Sequence, residues 1–219
     1  RPVRWGMGLQ VDVRKLDLFN QMAKEGSETV ADNLGQLTGL DAAVHTSRIN
    51  FLDIADVATH IGDDRQVGIY VELTEPPHGY VLFMLDPADS KRLAGAMLGG
   101  MGEASDGGGF SEMERSAMGE IGNIMTSAFI DGWANVLDTT IDMGTPNFVL
   151  GPAAGIIEKM GGWPDSELAF VIDSQITVEG GDLGMTVYTF PELADLVSLI
   201  QGIDLETDLA ADTQADDLV

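Results

Sequence analysis

The chain has no cysteine, which excludes disulfides and thiolate metal ligation. It is also poor in base. There are four lysines (Lys15, Lys24, Lys91 and Lys159) and eleven basic side chains in all, against thirty-six acids, for a formal net charge of −25 over 219 residues. Nucleic-acid affinity comes mainly from basic groups that neutralise the phosphate backbone, so a field of this sign argues against a nucleic-acid partner. No apolar run nears the ~20 residues that a membrane span needs. The opening RPVRWGMGLQVDV has no apolar core of signal-peptide length. We expect a soluble, cytoplasmic protein without membrane insertion, with Met7 a candidate start and the origin of residues 1–6 left open.

What is present is a globular composition, 44% apolar. Lysine scarcity and net acidity in a well-patterned chain point to high salt, where the Debye length is about 3 Å at 1 M and self-repulsion becomes tolerable. The three histidines, His45, His60 and His78, show no H-x-x-x-H spacing; they read as ordinary polar or partly buried residues, and no metal site is expected. MGEASDGGG, residues 101–109, is glycine-rich but lacks the lysine of a phosphate-binding loop and reads as a linker. Met97, Met101, Met118 and Met125 read as core or gap-filling residues.

Periodicity gives a long amphipathic helix from about Asp17 to Thr38, a strand AVHTSRINFL and a short helix DIADVATHIG. QVGIYVELT and GYVLFML follow as a hairpin about EPPHG, and DPADSKRLAGAMLGG as a closing helix with proline near its start. After the linker the order begins again: a helix from about Ser111 to Leu137, an extended TIDMGTPNFVL and a short helix GPAAGIIEKMG. A hairpin about GGD and a helix PELADLVSLIQG complete it. Phe51 and Phe148, and Val67 and Leu168, mark equivalent points roughly one hundred residues apart, a period that means duplication rather than a solenoid. We therefore expect an α/β (α+β) fold of two pseudo-repeats, 10–100 and 110–203, within one domain 10–203, after an N-terminal extension 1–9. The tail 204–219 has six acids and no base and reads as a solvated, disordered segment.

Within the second long helix, SAMGEIGNIM (116–125) carries two glycines and an asparagine, all poor choices for helix stability alone. Ala117, Ile121, Ile124 and Ala128 form a stripe at core spacing, and Ser116, Glu120 and Asn123 a polar stripe beside it. Gly119 and Gly122 flank the polar stripe. They either keep it uncrowded for another molecule or let the helix pack closely on its counterpart in the first half. Ser111 and Glu114 form a capping box, S-x-x-E, at the start of the helix. By spacing alone, an ordinary solvated face is the simpler reading of the polar stripe.

ERSAMGEIGNIMTSAFIDGWANVLDTTIDMGTP resembles the active-site helix of the CheC, CheX and FliY family of chemotaxis phosphatases. The family pattern is Asp or Ser, three residues, Glu, two residues, Asn, then twenty-two residues to Pro. Ser116, Glu120, Asn123 and Pro146 occupy all four positions. The resemblance covers about residues 10–203, and two helix-bearing halves in one chain favour the CheC type, haloarchaeal-like in its charge. Ninety-nine residues earlier stand Asp17, Gln21, Lys24 and Ser47, of which only Asp17 fits; the first site reads as degenerate.

The resemblance implies a pseudo-twofold fold with two long helices packed against an antiparallel sheet. It implies hydrolysis of the aspartyl phosphate on a CheY-type response regulator, which brings its own Mg²⁺, so no cofactor of the chain's own is expected. Asn123 would hold the attacking water and Glu120 would pair with a lysine on the regulator. Ser116 and Pro146 would support them, Pro146 by directing the chain into the short second-half helix. Two other readings stay open. One is a non-catalytic interaction module of the FliM kind; the other is a chain that mainly serves the receptor deamidase CheD.

Overall fold

A computed structural model describes residues 13–39, 41–99, 109–161, 168–178 and 181–202. The expected N-terminal extension 1–9 and tail 204–219 lie outside the described residues, as does Met101.

The first half runs α1 (Val13–Thr38), β1 (Ala42–Asp53), α2 (Ile54–Ile61), β2 (Gln66–Leu73), β3 (Gly79–Leu85) and α3 (Pro87–Met97). The second runs α4 (Glu112–Leu137), β4 (Asn147–Gly151), α5 (Ala153–Lys159), β5 (Leu168–Val178), β6 (Gly181–Pro191) and α6 (Leu193–Gly202). The order of element types is the same in both. Among the described residues the six strands join one antiparallel sheet in the order β1-β5-β6-β3-β2-β4. Exchanging the halves turns that order into its own reverse, the signature of a pseudo-twofold axis between β3 and β6. Each hairpin stays within its half, but the edge strands cross over, β1 onto β5 and β4 onto β2. The halves therefore share one sheet and cannot be separate globules.

Helices cover both faces of the sheet. Along β3, Val81, Phe83 and Leu85 point into the core under α1 and α4, while Leu82 and Met84 point into a second core under α2 and α5. That is why GYVLFML is apolar at nearly every position: a strand buried on both faces loses the usual alternation. Glycine permits the tightest contacts on β2 and between the long helices. A Cβ on Gly68 would lie 2.8 Å from Ile156 of α5, and one on Gly132 of α4 would lie 2.7 Å from the Gly26 backbone of α1.

The burial pattern of α1 repeats in α4 at an offset of 99. Leu18, Phe19, Met22, Ala23, Gly26, Ser27, Val30, Ala31 and Leu34 are buried, and so are Ala117, Met118, Ile121, Gly122, Met125, Thr126, Phe129, Ile130 and Trp133. Even the buried hydroxyls coincide, Ser27 with Thr126, whose Oγ1 donates to the Gly122 carbonyl at 2.8 Å. Full burial of each large apolar side chain stabilises by roughly 1.5–3 kcal/mol, so the helix face is set at every turn. Met118 and Met125 are core residues and Met97 packs against the core. Ile124, expected in the core stripe, is only half-buried; its position drifts off the apolar face towards the polar stripe.

Candidate functional site

The start of α4 is firmly held. The Ser111 backbone N–H donates to Glu114 Oε2 at 2.7 Å and the Glu114 N–H donates to Ser111 Oγ at 3.2 Å, the capping box read from the sequence. Arg115 Nε donates to the Phe110 carbonyl at 3.2 Å, and the Phe110 ring meets Phe148 of β4 edge to face at 5.3 Å between centroids. The helix that carries the polar stripe is thus anchored at its N-terminus and packed along its length.

Ser116, Glu120 and Asn123 are all exposed on one side of α4. Among the described residues none of their three side chains makes a hydrogen bond or ion pair, although the Asn123 carbonyl accepts from Thr126 Oγ1 at 3.2 Å. The two glycines beside them have different roles. Gly119 is exposed, and a Cβ there would meet nothing within 4 Å. Gly122 is buried, and a Cβ there would lie 2.9 Å from Ile69 Cγ2. So Gly119 leaves the stripe open, while Gly122 lets α4 lie close on β2. The close backbone approach of the two long helices falls at Gly26 and Gly132.

Pro146 is half-buried and immediately precedes β4. It leads the chain into a strand, not directly into the short helix as its sequence position suggested; Pro152 stands at the N-cap of α5. The extended segment read as one piece is thereby divided, with an isolated bridge at Met143 to Leu73 and the strand proper from Asn147.

In the first half, Asp17, Gln21 and Lys24 are exposed on α1 at positions equivalent to Ser116, Glu120 and Asn123. Lys24 Nζ reaches Glu28 Oε1 at 3.9 Å within the same helix. Ser47 lies in β1. The two stripes belong to different helices and are not brought together into one site.

Two of the histidines, His60 and His78, find partners that spacing did not disclose; the His45 side chain lies outside what is described. His60 Nδ1 lies 2.7 Å from the Tyr188 hydroxyl. His78 Nδ1 donates to Asp195 Oδ2 at 2.7 Å, the His78 backbone N–H reaches the same oxygen at 3.3 Å, and the Glu192 N–H donates to the His78 carbonyl at 2.7 Å. His78, Glu192 and Asp195 place one potential ligand atom each within 4.8 Å of one another, although the Asp195 oxygen is already engaged twice by His78. The carboxylate raises the His78 pKa above the usual histidine range. In return the imidazole hydrogen bond holds Asp195 below the usual carboxylate range.

A duplicated α/β sheet with an open Ser–Glu–Asn stripe on its second long helix defines a recognisable class. Thermotoga maritima FliY has the same fold, with a TM-score of 0.70 at 20% identity over 88% of this chain and 96% of that one. So does the FliM middle domain of Vibrio alginolyticus, with a TM-score of 0.58 at 12% identity over 79% and 93%. The model of the CheC-like family matches residues 113–150, the window that contains Ser116, Glu120, Asn123 and Pro146. Over 197 residues the chain is 42% identical to a Halobacterium salinarum protein named as a candidate CheY-P phosphatase, CheC1, covering 90% of this chain and 100% of that one. The chain belongs to the CheC family. No helix among the described residues is long and apolar enough to cross a membrane.

Proposed function

We propose that the protein is a chemotaxis phosphatase that hydrolyses the aspartyl phosphate of a CheY-type response regulator. One observation carries the reading. In a CheC-family chain, the side chains of Glu120 and Asn123 stand exposed and without partners among the described residues, beside the open position at Gly119.

The acyl phosphate belongs to the regulator and arrives with the regulator's own Mg²⁺, so this chain supplies position and polarity rather than a metal. Phosphoryl transfer asks mainly for alignment and charge stabilisation. The Asn123 amide has both a carbonyl acceptor and N–H donors and holds one water in line with phosphorus. Water oxygen bonds to phosphorus as the bond from phosphorus to the acyl oxygen breaks. The products are inorganic phosphate and the regulator's free aspartate, with the water's protons passing to phosphate and solvent. Glu120 pairs with a lysine on the regulator and sets the register of α4 in the acidic pocket. Ser116 supports the helix face, and holding the reactants in near-attack geometry is worth several kcal/mol.

On α1, Lys24 stands where the water-holding amide would be. An ammonium is donor-only and cannot accept a hydrogen bond from water, so the first half does not hydrolyse. That half fits the second reading, an interaction surface of the FliM kind.

The test is release of inorganic phosphate from a phosphorylated CheY-type regulator, with and without CheD. Release well above the regulator's own decay is expected. A rate equal to that decay in both conditions would leave the two non-catalytic readings, the interaction module and the CheD partner.

A further inference from the structure

Among the described residues, one large apolar side chain is left exposed: Met113, at 51%. Other methionines of the chain, Met22, Met84, Met118, Met125 and Met185, are buried. Met113 stands in the first turn of α4, three residues before Ser116, seven before Glu120 and ten before Asn123. At 3.6 residues per turn these four positions fall within an arc of about 80°, and at 1.5 Å per residue they span about 15 Å of helix. Half-buried Ile124 lies on the same side of the helix and continues the apolar edge. Helix propensity does not explain a methionine here, because lysine, glutamine and glutamate serve an exposed helix position as well. The base beneath it is rigid, since Glu114 next to it closes the capping box. The result is a flexible, polarisable thioether on a fixed root, the kind of side chain that binding surfaces use.

We propose that Met113 is the apolar anchor of the surface by which α4 docks its phosphorylated regulator, and hence a residue that supplies affinity for the complex in which Glu120 and Asn123 act. The proposal rests on the phosphatase reading above and deepens it. Its occupant is the regulator's receiver domain, because the residue is continuous with the stripe that must enter that partner.

The experiment measures phosphate release under steady-state conditions with the full chain and its Met113→Asp, Met113→Leu and Asn123→Ala variants. It also measures the Kd of each for a beryllofluoride-activated regulator, which cannot be hydrolysed. Met113→Asp is expected to raise KM and Kd about tenfold while kcat and the thermal midpoint stay near wild type, and Met113→Leu restores both constants. If the wild type releases phosphate and Asn123→Ala does not, yet Met113→Asp binds and turns over normally, the anchor is wrong and the phosphatase reading stands. If no phosphate is released at all, the phosphatase reading fails, and a tenfold rise in Kd in Met113→Asp still supports the anchor. A change in sedimentation without a change in Kd would overturn the proposal by assigning Met113 to a contact between two copies of the chain.

Discussion

Gly26 and Gly132 meet backbone to backbone where α1 and α4 pack: a Cβ on Gly132 would lie 2.7 Å from both Cα and N of Gly26. Phe129 completes the contact, since its ring lies 2.7 Å from where a Gly26 Cβ would stand and meets Phe83 of the sheet edge to face at 5.5 Å. Gly132→Ala must separate the long helices. It is expected to cost about 1–3 kcal/mol, the range for overpacking a core, read from urea denaturation.

Gly119→Ala should act in the opposite sense. The new methyl meets nothing within 4 Å, and alanine is favoured over glycine in a helix by roughly 0.5–1 kcal/mol. A stability gain of that size is expected, whereas Gly122→Ala, facing Ile69 at 2.9 Å, should lose stability. Loss in both variants would show that the stripe beside Gly119 is packed rather than open.

Asn123→Ala should lower the phosphatase rate by about a hundredfold, the order of loss when a reacting group is no longer held in place. Regulator binding and the melting temperature should hardly move, since the residue is exposed and surface changes usually stay within about ±0.5 kcal/mol. Glu120→Lys should raise KM instead, by setting like charge against the regulator's lysine. Gln21→Ala and Lys24→Ala should leave turnover unchanged. Normal turnover in Asn123→Ala together with loss in Lys24→Ala would move the working site to α1.

His78 ties the hairpin of the first half to α6 of the second through Asp195, and this link should be pH-dependent. The His78 pKa is raised in the fold by its hydrogen bond to Asp195. Its contribution is therefore complete below the unfolded histidine value, about 6.5, and disappears as pH rises through the higher folded value. The Asp195 pKa is lowered by the hydrogen bond from His78. Its contribution is present above about 3.9 and disappears as pH falls through the lower folded value. The melting-temperature difference between wild type and His78→Ala should be largest between about pH 4 and 6.5 and shrink at pH 9. His78 is 44% exposed, so molar salt should reduce that difference. A difference that grows from pH 6 to 9 would contradict this link.

Net charge makes a further prediction. With −25 on the chain, the melting temperature should rise from low salt to molar KCl as self-repulsion is screened. A fall over that range would contradict adaptation to high salt.

Sequence alone was enough for everything governed by local chemistry. The 3.6-residue apolar period placed α1 and α4, the Ser111–Glu114 pair placed the start of α4, and hairpins and closing helices announced themselves by turns and prolines. The shared exposed face of Ser116, Glu120 and Asn123 was legible because helical spacing sets it. Only the tertiary structure decided what depends on distant partners. It crossed β1 and β4 between the halves, separated the open Gly119 from the packed Gly122, and set Pro146 before a strand. It also brought His78 to Asp195 across 117 residues and left Met113 uncovered. Helical period and caps act within a few residues along the chain, so one sequence displays them. Strand exchange, contact glycines and residual exposure depend on which remote surfaces meet, and no local pattern records that.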